Sequence, residues 1–116
     1  MNERDDAVYL RHIVDAIGGI QVYLTDVDEP AFRQNTLIQD GVIRQIEIIG
    51  EAVRHLSPNL CDRHPGVPWQ DLARMRNKLI HDYFGVSLEA VWLTARDDIP
   101  ELRRQILMIL GDPPRS

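Results

Sequence analysis

Arg76, Asn77 and His81 are the side chains whose types and spacing could do chemistry. A guanidinium is permanently charged and presents a rigid fork of N–H donors, so Arg76 can grip a phosphate and stabilise charge that develops on it. An imidazole titrates near neutrality, so His81 can take or give a proton at working pH. Asn77 stands one helical turn before His81, where it could orient the ring or bond a phosphate directly. A base and a cation are sufficient to cleave a phosphodiester that carries its own nucleophile, as RNA does in its 2′-hydroxyl. Such a reaction leaves a cyclic phosphate and is indifferent to chelators. Arg74, Lys78 and Arg63 gather positive charge around the three and are weaker candidates for substrate contact.

The element that must position these groups is Trp69 to Phe84, WQDLARMRNKLIHDYF. At about 100° per residue, Trp69, Leu72, Met75, Leu79, Ile80 and Tyr83 share one arc of a helix, and the polar residues share the other. Arg76 is the exception, lying within the apolar arc. It must snorkel outwards, pair with a carboxylate or phosphate, or line a cleft where two surfaces meet. Arg76 and His81 are five residues apart, which separates their directions by about 140°. Bringing both to one phosphate needs the helix to loosen near His81, with Gly85 as its stop, or a second subunit to complete the site. Taken singly, the same residues have plainer roles: an exposed histidine, an arginine paired to a carboxylate of another helix, and a tyrosine in the core with a wet hydroxyl.

Arg76-Asn77-x-x-x-His81-x-Tyr83 resembles the Arg-x-x-x-x-His-x-Tyr motif of the HEPN superfamily, and specifically its HepT-like toxins. The flanks IEIIGEAVRHL, the Pro-Trp before the motif and VWLTARDDIPEL after it look like the same family, so the resemblance covers nearly the whole chain. It implies a helical homodimer acting as a metal-independent ribonuclease toxin, with Arg76 and His81 as the catalytic pair and Asn77 beside them. It also implies a partner, a minimal nucleotidyltransferase antitoxin that silences the toxin by transferring AMP to the motif tyrosine, here Tyr83. An adenylate on Tyr83 would place a competing phosphate and a bulky base in the cleft. The rival from another class is a non-catalytic HEPN helical dimer that docks a nucleotidyltransferase. A third reading is an enzyme acting on a small nucleotide.

Composition agrees with one modest domain. The 116 residues are 44% hydrophobic, enough for a single core, and residues 1–116 are expected to form one HEPN-like helical domain with 111–116 as a frayed tail. No stretch approaches the roughly 20 apolar residues of a membrane span, so a cytoplasmic protein is expected. Cys61 is the only cysteine; it reads as an indifferent thiol in a loop, and neither a metal site nor a cofactor is expected. The net charge of -5 argues against a broad basic surface for nucleic acid. Residues 1–30 carry the whole excess, two arginines against seven carboxylates, which leaves the motif region able to engage RNA locally.

Hydrophobic spacing predicts an all-α fold, an antiparallel bundle of four to five helices joined by short loops and associated as a two-fold homodimer. A first helix spans 4 to about 26, where Gly18 and Gly19 would admit a close neighbour. Pro30 to Arg33 is a short turn of helix. A second long helix, Asn35 to Leu56, has more apolar arc than one neighbour would cover, which suggests burial on two sides, inside a bundle or across a dimer seam. Glu47 and Glu51 on it read as structural or solvated. Residues 57–68, with three prolines, read as a loop, and Pro68 falls in the first turn of the motif helix. Ser87 can cap a last helix that Pro100 breaks or kinks before an all-round apolar Ile106 to Leu110.

Overall fold

The computed structural model describes residues 3–81 and 86–111, with side chains from residue 5 onward. Every regular element among them is a helix: α1 Glu3–Tyr23, α2 Glu29–Arg33, α3 Thr36–Arg54, α4 Pro58–Arg63, α5 Trp69–His81, α6 Leu88–Leu93 and α7 Ile99–Gly111, with a π-helical turn, Thr94–Asp98, joining the last two. Four long rods therefore make the bundle, since α6, the π turn and α7 run on as one. The single-turn helices α2 and α4 serve as connectors.

Helix α3 is the centre. It packs against α1 on one side and α5 on the other. That accounts for its excess of apolar residues: Val42, Ile46, Ile49 and Val53 are all buried, facing Ile13, Ile17 and Ile20 of α1 and Leu79 of α5 within one continuous core. Each such side chain contributes roughly 1.5–3 kcal/mol by leaving water. The Tyr23 ring at the end of α1 lies against Gly41 near the start of α3. At the other end Asp6 of α1 reaches Ser57, just past α3, so α1 and α3 run antiparallel.

Asp6 is only 4% exposed. One of its carboxylate oxygens accepts from the Ser57 backbone N–H at 2.8 Å and the other from the Ser57 hydroxyl at 2.6 Å, which leaves neither oxygen unsatisfied. The Ser57 oxygen in turn accepts from Leu60 N and caps α4.

Four local expectations are corrected. Residues 57–68 are not all loop: Pro58 occupies the first position of α4, where a missing N–H costs nothing, so a proline taken as a breaker is a starter. Cys61 accordingly sits half-buried in a helix, and burial, with Asp6 and Asp62 nearby, pushes its thiol pKa up and away from reactivity. Pro68 lies one residue before α5 and offers its carbonyl to Leu72 N. The first helix ends at Tyr23, because Asp26 adopts a left-handed φ of 58° that no helix continues.

Pro100 does not break the last rod. Proline removes the N–H that would bond back four residues, and its ring crowds that carbonyl. The chain widens instead into the π turn, in which Ile99 N bonds to Thr94 O five residues back. Beyond it Ile106 is fully buried, yet Leu107 and Met108 are exposed, so this segment packs on one face only. Of the two glycines expected to admit a close neighbour, Gly18 faces open space, whereas a Cβ on Gly19 would lie 3.2 Å from the Gln45 side chain of α3. The tight crossing lies at Gly50 instead.

Candidate active site

Gly50 and Arg76 mark where α3 and α5 come closest. A Cβ on Gly50 would lie 2.2 Å from the Arg76 Cβ and 2.9 Å from the Leu72 carbonyl oxygen, so only glycine fits. This crossing explains how an arginine occupies the apolar arc of α5. Its stem crosses the notch that Gly50 leaves, and its head emerges beside the next residue of α3, Glu51.

The Arg76 side chain is 19% exposed, and its Nη2 donates to Glu51 Oε2 at 2.9 Å. Its Nη1 donates to Asn77 Oδ1 at 3.0 Å. Its Nε is buried without a hydrogen-bond partner. The fork is therefore aimed by two neighbours while retaining unused donor capacity. Asn77, for which orienting His81 or bonding a phosphate directly were the two expectations, accepts from Arg76 here.

Glu51 is a hub. Besides Arg76 it meets Arg54 Nη1 at 3.5 Å through Oε2 and His55 Nε2 at 3.2 Å through Oε1. The His55 ring lies parallel to that of Tyr9 from α1, with centroids 4.8 Å apart and planes inclined by 11°. His12, one turn along α1, meets Tyr9 edge-on at 5.7 Å. Tyr9, His12, Glu51, His55 and Arg76 line an open groove of about 270 Å³, continued by Arg44, Glu47 and Ile80. That is slightly below the roughly 300 Å³ where small-molecule pockets begin, which suits one nucleotide unit of a strand.

The remaining candidates lie elsewhere. His81 is exposed at the last position of α5. By helical spacing it shares a stripe with Arg74, Asn77 and Lys78, away from the groove that holds Arg76. Arg74 is exposed and turned to Asp71 and Gln70 of its own helix. Lys78 is exposed on the same stripe, whereas Arg63 stands apart at the end of α4. Tyr83 lies outside the described residues, as does Gly85. A wider groove of about 650 Å³, between Val67 and Met108, contains none of the motif residues.

Sequence reading missed Glu51, His55 and Tyr9. The signal available was Glu51 and His55 at one-turn spacing directly after Gly50. Their significance depends on which helix lies against that glycine. Among the described residues no three His, Cys, Asp or Glu side chains gather in a way that could hold a metal ion. No helix among them is long and apolar enough to cross a membrane.

The all-helical bundle is consistent with a HEPN-type helical fold. A family model described as "Ribonuclease HepT-like" matches residues 13–109, and the chain belongs to that family. It is 38% identical to a "Putative RNase" of Methanocaldococcus jannaschii over 97% of both chains. It is 40% identical to a "Probable ribonuclease HepT" of Thermococcus cleftensis, over 87% of this chain and 92% of the relative. It also matches half of a larger M. jannaschii protein, "Gamma-glutamylcyclotransferase and putative RNase", at 41% identity over 94% of this chain and 49% of the relative. No solved structure matches the chain.

Proposed function

We propose that this chain is the ribonuclease toxin of a toxin–antitoxin pair, a metal-independent endoribonuclease acting in the cytoplasm. The observation that carries the reading is Arg76: a motif guanidinium seated at the α3/α5 crossing, held by Glu51 and Asn77, opening on a groove of nucleotide size. The relatives named as ribonucleases support the same substrate class.

In this reading Arg76 binds the scissile phosphate and offsets the charge of its crowded transition state. His81 removes the 2′-hydroxyl proton. Because Arg76 and His81 diverge on α5, the working unit is a homodimer in which His81 of one copy serves the phosphate held by Arg76 of the other. Asn77 positions Arg76, while Arg74 and Lys78 on the exposed stripe meet neighbouring phosphates. A minimal nucleotidyltransferase silences the enzyme by AMP transfer to Tyr83. That last role rests on the motif Arg76-Asn77-x-x-x-His81-x-Tyr83.

The test is incubation of unmodified protein, its mass checked for absence of AMP, with cellular RNA in EDTA beside a folded His81→Ala variant. Cleavage by the unsubstituted protein alone is expected. A second reading, a non-catalytic dimer that docks a nucleotidyltransferase, is favoured by one observation: Glu51 already neutralises Arg76. No cleavage by either protein, with retained partner binding, would select it.

A further inference from the structure

Cleavage through the 2′-hydroxyl needs two proton transfers, one from the nucleophile and one to the departing 5′ oxygen. The motif supplies one imidazole, and it lies on the stripe of α5 that faces away from Arg76. The structure places a different imidazole beside Arg76. His55, at the C-cap of α3, and Arg76 of α5 bind the two oxygens of one carboxylate, Glu51, at 3.2 Å and 2.9 Å.

We propose that His55 is the proton donor of the cleavage reaction, giving a proton to the 5′ oxygen as it leaves the phosphate held by Arg76. The inference rests on the ribonuclease reading above. The His55 ring is clamped by Glu51 at Nε2 and by stacking on Tyr9, yet its side chain remains 48% exposed along the groove. With Nε2–H committed to Glu51, Nδ1 of the imidazolium is the nitrogen that transfers the proton. The 2′ oxygen forms its bond to phosphorus as the bond from phosphorus to O5′ breaks. The 2′-hydroxyl proton passes to His81, and O5′ keeps the bonding electron pair and takes the proton of His55. The products are a 2′,3′-cyclic phosphate and a 5′-hydroxyl, and exchange with water resets both imidazoles. When Arg76 turns from Glu51 to the phosphate, the carboxylate is still held by His55 and Arg54, so the donor stays oriented.

The test compares an oligoribonucleotide with its twin carrying sulfur in place of the bridging 5′ oxygen. A thiolate leaves readily without protonation, its conjugate acid having a pKa of about 8.5. His55→Ala should slow single-turnover cleavage of the oxygen substrate by roughly 100-fold or more, the contribution of general acid catalysis. It should cut the sulfur substrate within a few-fold of the unsubstituted rate. His55→Gln, which can still donate to Glu51 but cannot deliver a proton, should behave like the alanine variant.

His81→Ala should remain slow on both substrates. Either His55 variant cutting the oxygen substrate at the unsubstituted rate overturns the inference and leaves the ribonuclease reading intact. Equal losses on both substrates also overturn it, because a structural role gives no rescue by the leaving group. Failure of the unsubstituted protein on both substrates overturns the ribonuclease reading itself, and this inference with it.

Discussion

Gly50→Ala sets two effects of opposite sign against each other. Alanine is better than glycine inside a helix by about 1 kcal/mol, so local propensity alone predicts a more stable protein. The added methyl, however, would lie 2.2 Å from the Arg76 Cβ, and 2.9 Å from a backbone oxygen that cannot swing aside. Carbon atoms rest at roughly 3.5–4.0 Å, so α3 and α5 must part by more than ~1 Å along their crossing. Overpacking of this kind costs about 3 kcal/mol or somewhat more, which leaves a net loss of roughly 2 kcal/mol after the propensity gain. At about 4 °C per kcal/mol for a chain of this length, Tm should fall by roughly 8 °C. The assay is thermal and urea unfolding at one fixed protein concentration, since association would shift Tm by mass action. Separation of the helices also moves Arg76 off Glu51, so cleavage should fall with stability. A Gly50→Ala protein as stable as its parent, or more so, would refute the account of the crossing.

Three further outcomes follow from particular contacts. Asp6→Ala removes two buried hydrogen bonds to a carboxylate and should cost roughly 2–3 kcal/mol in urea unfolding, whereas a loss below about 0.5 kcal/mol would show that the Asp6–Ser57 tie is incidental. If the site is shared between copies, mixing Arg76→Ala with His81→Ala subunits should restore about a quarter of the activity, since half the dimers are mixed and each has one intact site. No recovery on mixing would place both groups within one chain. Hydrogen bonds from Arg104 hold the Glu101 carboxyl below its usual range. A pKa depressed by folding stabilises above the unfolded value, about 4.3, and that stabilisation is lost as pH falls through the folded value. Glu101→Gln should therefore lower Tm slightly at pH 7, by a difference that shrinks as pH falls through the folded value. A difference that persists in acid would assign the effect to packing.

The long helices were legible because their apolar stripes repeat over several turns. The surplus on α3 correctly announced burial on two sides, and both neighbours, α1 and α5, belong to the same chain. Misreadings cluster at prolines. Pro58 starts a helix and Pro100 is absorbed by a π turn, because the effect of a missing N–H depends on whether that position needs one. Arg76 was legible as an anomaly on an apolar face, and pairing with a carboxylate of another helix was among its expected fates. That the partner is Glu51, and that His55 shares it, was not, because both follow from the rotation of α3 against α5. A single helix period does not encode that rotation, although Gly50 is its local trace.

The most direct test of the central claim is the chemistry of the cut ends. Fragments of a defined RNA, cleaved in EDTA by unmodified protein, would be identified by mass spectrometry. Attack by the 2′-hydroxyl, aided by Arg76 and His81, predicts 2′,3′-cyclic phosphate on one fragment and a 5′-hydroxyl on the other. Fragments with 5′-phosphates, or cleavage that appears only when a divalent metal is restored, would contradict it.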